Sequence, residues 1–157
     1  MTVGQILALV GAAIAVILSG MGSSKGVGMA GETAAGVASE NPDVSSKLLV
    51  LQLLPATQGI YGFLIAVIVL INVGVLGGAI KAVTLEQGIA YLVACLPVAL
   101  VGYYSAIRQA KVSMAGMLMT GQRAELSGKG VTMAVMVETY AVFALLVSFL
   151  MVNAIAL

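Results

Sequence analysis

The sequence predicts an all-α membrane protein whose four transmembrane helices form two hairpins, the second repeating the first in the same orientation. Three observations carry this reading. Of the 157 residues, 61% are hydrophobic and 8% charged, and the mean hydropathy is +1.15, outside the range of soluble globular domains. Four segments, 1–24, 48–71, 88–107 and 130–157, reach the roughly 20 apolar residues that span a bilayer. The chain also echoes itself: "GVGMAG" at 26–31 resembles "KVSMAG" at 111–116, and "QGIYGF" at 58–63 resembles "ETYAVF" at 138–143. A hairpin crosses the membrane twice, so its copy keeps the same orientation and the repeat is parallel. The alignment sets Gln58 against Glu138.

The first helix is expected over about 2–39. It has no basic residue ahead of its apolar part and runs on into "GVGMAGETAAGVASE", which predicts a retained helix rather than a cleaved signal. Gly22, Gly26, Ala30, Ala34 and Ala38 recur every four residues, and Ala8, Ala12, Gly20, Ser24 and Gly28 form a second series with Val16 between. Small residues let helix backbones approach closely in lipid. A helix that is small on several faces suits the inner wall of a homo-oligomeric ring.

Asn41-Pro42 ends this helix and offers a cap and a first-turn proline to the second, expected over about 43–73. "NVGVLGGAIK" at 72–81 is a glycine-bearing loop, and residues 1–80 make the first hairpin. "TLEQ" at 84–87 is a capping box that opens the third helix, about 84–121, where Gly102, Ala106 and Ala110 continue the small pattern. The fourth helix, about 127–156, completes the second hairpin, 81–157. Lys25 and Lys47 lie between helices one and two, and Arg108, Lys111, Arg123 and Lys129 flank or join three and four; only Lys81 is on the other side. The positive-inside rule then places the one-two and three-four connections in the cytoplasm and both termini outside.

Several functions are excluded. Cys95 has no partner for a disulfide within the chain, and without histidine or a cysteine cluster a transition-metal site has no donors. A net charge of +1 gives nucleic acid nothing to hold. "GSSKG" at 22–26 lacks the spacing of a phosphate-binding loop.

Glu138 is the one charge within the four apolar segments. An ionised carboxylate at a helix centre costs about 2.5–3.5 kcal/mol on insertion scales, so such acids face protein and usually serve ion or proton movement. Counted from Lys129 at 1.5 Å per residue, Glu138 lies about 13 Å into the membrane. On helix two, Thr57, Gln58 and Tyr61 fall close together, Thr57 and Tyr61 one turn apart. Gln109, between Arg108 and Lys111, is either part of a solvated helix end or, if helix three continues past the bilayer surface as one rod, a neighbour of the acid. Carboxylate, amide and hydroxyl oxygens are hard donors suited to hard cations. A monovalent cation would leave the site neutral, able to face lipid.

"LLPATQGIYGF" with "MVETYAVFA", four helices and an acid only in the second hairpin resemble the K subunit of bacterial V-type rotary ATPases, the ring-forming proteolipid. The resemblance covers essentially the whole chain. It implies a non-catalytic subunit of the bacterial plasma membrane that assembles with identical copies and turns against a stator bearing an arginine, with central-stalk subunits at the cytoplasmic loops and lipid around it. It implies a sodium ion bound by Glu138, Gln58, Gln109, Thr57 and the Leu54 carbonyl, with Tyr61 hydrogen-bonded to the acid and no organic cofactor. A proton on Glu138 is the alternative cargo. One acid per two hairpins means fewer ions per turn and more ATP free energy per ion, which favours pumping, set against about 2.3 kcal/mol per charge for each 100 mV. A four-helix antiporter with an intramembrane glutamate is the competing class, but it would need aromatic walls for an organic cation, and tryptophan is absent. A purely structural tetraspan leaves the polar residues unexplained.

Overall fold

The computed structural model describes residues 1–78 and 80–156. Five α-helices, α1 (Val3–Glu40), α2 (Ser45–Leu53), α3 (Thr57–Asn72), α4 (Leu85–Gln122) and α5 (Ser127–Ala154), make four rods. α2 and α3 are joined end to end by a 3-10 turn, Leu54–Ala56, into the second rod. All four are long and apolar enough to cross a membrane, as expected of a multi-pass membrane protein. α1 and α4 have 38 residues each, about 57 Å at 1.5 Å per residue, far beyond a hydrocarbon core of about 30 Å. Helix three therefore does run past Arg108 and Lys111 without a break.

α1 and α4 lie parallel and in register through the centre of the molecule. Gly4 meets the carbonyl of Thr84, a Cβ at Gly11 would sit 2.8 Å from Leu92 Cα, and one at Gly22 would sit 2.6 Å from Tyr103 Cα. These neighbours are backbone and cannot yield, so the small residues set how close the two helices come. The other rods flank the pair: Gly62 of α3 packs on Ser19 of α1, and Gly116 of α4 faces Gly130 of α5. The second small series behaves differently. Ala8 and Ala12 are buried, whereas a Cβ at Gly20 or Gly28 would meet nothing within 4 Å among the described residues and Ser24 is exposed. Each four-residue step turns the helix about 40° past a full circle, so a long series winds off the packed face.

Both hairpins open on a capping box. Thr84 Oγ1 accepts from the Gln87 amide at 3.3 Å while Gln87 Oε1 accepts from the Thr84 amide at 2.8 Å. Thr2 and Gln5 do the same for α1, a box readable in "TVGQ" by the same rule. Each glutamine then reaches the segment that follows the second rod of its own hairpin: Gln5 Nε2 donates to Lys81 O at 2.8 Å and Gln87 Nε2 to Ala156 O at 2.7 Å.

The expected cap at Asn41 differs. Its side chain caps nothing in its own turn and instead donates to Gly121 O across the bundle at 3.1 Å. The second rod starts as a 3-10 turn at Pro42–Val44, and Asn41, at φ −137° and ψ 85°, serves as the end of α1. The glycine loop after α3 holds Gly74 and Gly78 at φ 86° and 75°, a region that favours glycine. Residue 79 of that expected loop and residue 157 of the fourth helix's segment lie outside the described residues.

Candidate ion-binding site

Pro55 shapes the site. Lacking an amide proton, it cannot continue the α-helical ladder, and the chain tightens into the turn Leu54–Ala56. There the Leu54 carbonyl accepts both from the Thr57 amide and from Thr57 Oγ1, the latter at 3.0 Å. α3 starts afresh at Thr57, with Gln58 second and Tyr61 one turn on.

From this turn a chain of hydrogen bonds crosses to α4 and α5. Thr57 Oγ1 lies 3.4 Å from Gln58 Oε1. Gln58 Nε2 donates to Gln109 Oε1 at 2.6 Å, and Gln109 Nε2 donates to Glu138 Oε2 at 3.2 Å. Tyr61 Oη donates to Glu138 Oε1 at 2.5 Å. Every residue expected at the site thus joins one network, with Gln109 as the bridge between Gln58 and the acid. Both glutamines are fully buried; Glu138 is half-buried at the rim of a shallow groove of about 190 Å³ with Val135, Thr139, Val142 and Phe143. Its donors among the described residues are neutral, a phenol and an amide. Arg108 is exposed, beside Gln109 in sequence.

A family model for the C subunit of ATP synthase matches the chain twice, over residues 10–69 and 92–151. The chain belongs to the ATP synthase C-subunit family. The two matches fall one in each hairpin, so the repeat read from "GVGMAG" and "QGIYGF" is a duplication of the family's unit. Over 149 residues the chain is 44% identical to the V-type sodium ATPase subunit K of Enterococcus hirae, covering 95% of this chain and 92% of that protein. It is 36% identical over 147 residues to the A-type ATP synthase subunit K of Methanocaldococcus jannaschii, covering 93% of this chain and 61% of that one.

In this member of the C-subunit family three hydroxyls not picked out from the sequence also tie its helices together, and one of them, Ser105, touches a side chain of the site. Ser105, 6% exposed, lies 3.4 Å from Gln58 Nε2 and donates to Val137 O at 3.2 Å, which ties α4 to α5 one residue before Glu138. It stands four residues before Gln109, on the same helix face, a step that could have revealed it. Ser23 of α1 binds the backbone of α3. Ser148 of α5 accepts from the Val98 amide at 3.1 Å, just past Pro97, where a proline disturbs the helical ladder.

Proposed function

We propose that this chain is the ion-carrying rotor subunit of a V-type ATPase or ATP synthase, that identical copies form its ring, and that each copy carries one sodium ion at Glu138. The observation that carries the reading is a half-buried carboxylate held, among the described residues, by the neutral side chains of Tyr61 and Gln109, next to a fully buried amide pair. The Glu138 carboxylate supplies one negative charge, and Gln58, Gln109, Thr57 and the Leu54 carbonyl supply neutral oxygens, a donor set fitted to a hard monovalent cation. The likeness to a sodium ATPase subunit favours sodium over the proton.

The role of the residues follows from charge. Loaded with sodium, the site is neutral and can face hydrocarbon; empty, it cannot without cost. Ring rotation therefore carries only loaded sites through lipid. An arginine on the stator would meet the empty carboxylate and release the ion to the other half-channel. Tyr61 orients the acid, and Gln109 couples it to Gln58. Residues 1–80 and 81–157 act as two hairpin units, of which only the second bears an acid within its apolar segments. The rest of the reading places the connections 40–45 and 122–127 in the cytoplasm, against central-stalk subunits, with the ring in a bacterial plasma membrane and both termini outside. ATP chemistry belongs to other subunits.

Dicyclohexylcarbodiimide reacts with a protonated carboxyl in an apolar setting. Labelling of the purified ring is expected at Glu138 and is expected to be suppressed by sodium but not by potassium at equal ionic strength. Labelling indifferent to sodium across neutral and alkaline pH would make the cargo a proton.

A further inference from the structure

Ala56 occupies the N-cap position of α3, and no side chain of its own segment caps the helix. Alanine has no acceptor, and at φ −79° and ψ −25° the residue is already helical, whereas a capping residue is normally extended. The first amides of an α-helix have no internal partner. Here the Thr57 amide turns back to Leu54 O, and the Gly59 amide, third in the helix, donates to Ser23 Oγ of α1 at 2.7 Å. That amide is one of the two an N-cap serine would satisfy. The Ser23 hydroxyl lies 3.4 Å from Ala56 O, to which it donates, and its side chain is 7% exposed, so little water can replace it.

We propose that Ser23 is a positioning residue for the ion site: from the neighbouring helix it supplies the cap that α3 lacks, and so fixes the turn that carries Leu54 O, Thr57 and Gln58. The surroundings hold the two helices to this contact. A Cβ at Gly59 would lie 3.2 Å from Ser23 Oγ, and one at Gly26 would lie 2.9 Å from Pro55 Cβ. Three of the five oxygen donors assigned to the ion belong to this one turn. The inference rests on that assignment.

The test is the sodium concentration that half-protects Glu138 from dicyclohexylcarbodiimide in purified rings. Ser23→Ala is expected to raise it roughly fivefold, the typical effect of a lost helix cap, and to leave labelling without sodium and its pH profile unchanged, because Ser23 bonds the backbone of Ala56 and Gly59 and not Glu138 or the Tyr61 and Gln109 side chains that hold it. Ser19→Ala is the matched control: its buried hydroxyl donates to Ala15 O of its own helix at 2.6 Å, and protection should not move. An unshifted Ser23→Ala ring, or a Ser19→Ala ring shifted as far, would overturn the proposal. If Ser23→Ala does not assemble, Ser23→Cys, a similar shape with a weak acceptor, is judged by the same criterion. Failure of sodium to protect even the unaltered ring would instead strike the ion assignment.

Discussion

At the scale of the residue, the site is a carboxylate held by neutral groups, which makes its partners separable by experiment. Tyr61→Phe removes the donor 2.5 Å from Glu138 Oε1. Hydrogen bonds to charged groups are worth about 1.5–3 kcal/mol, and Tyr61 is only half-buried, so the lower end applies: about a tenfold rise in half-protective sodium, read from carbodiimide labelling. If sodium binds this carboxylate as proposed, proton and sodium compete for it. The sodium needed for half-protection should therefore climb as pH falls, and a pH-independent value would show that the labelled group is not the one that binds. The acid, Gln58, Thr57 and Tyr61 stood out because each is an oxygen-bearing side chain in apolar sequence, whereas Gln109, between Arg108 and Lys111, was drawn in by the resemblance. Ser23 did not stand out. Its value depends on which amide across the helix interface needs an acceptor, and no spacing in "GMGSSKG" records that.

At the scale of the element, glycine sets how closely α1 and α4 approach, and proline marks where the helical ladder loses a bond. Gly22→Ala would drive a methyl to 2.6 Å from the backbone of Tyr103, and overpacking of this kind costs about 1–3 kcal/mol. Thermal unfolding of the detergent-solubilised protomer should fall accordingly. A methyl at Gly28→Ala meets nothing within 4 Å among the described residues, so that transition should stay in place and any loss should appear only in ring assembly on native gels. The helices themselves were readable from apolar length, and the box at Thr84 from its spacing. The turn at Leu54–Ala56 was less so: a proline announces a lost hydrogen bond, but whether the chain kinks, tightens or continues depends on its neighbours. Pro97 shows the other result, a helix that continues to Gln122 with the Val98 amide turned to Ser148.

At the scale of the whole molecule, the protomer leaves much of its apolar surface uncovered. Ile60, Phe63 and Leu64 of α3 and Met136, Tyr140, Phe143 and Leu150 of α5 are all exposed, on the rods that carry Tyr61 and Glu138. Native mass spectrometry of the complex in mild detergent is expected to give a large multiple of the 15.8 kDa chain; a dimer would favour the antiporter. Duplication was visible in the sequence because the copies kept short motifs at matching depth, while the parallel α1/α4 pair at the centre emerges only from three-dimensional packing. That pair has a mechanical consequence. Joined by backbone contacts from Gly4 to Gly26 and tied again where Asn41 grips Gly121, α1 and α4 form a double strut, longer than a hydrocarbon core is thick, whose projecting end by sequence polarity is the one bearing Glu40 and Arg123. A twist applied to that projection would reach the depth of Glu138 with little elastic slack.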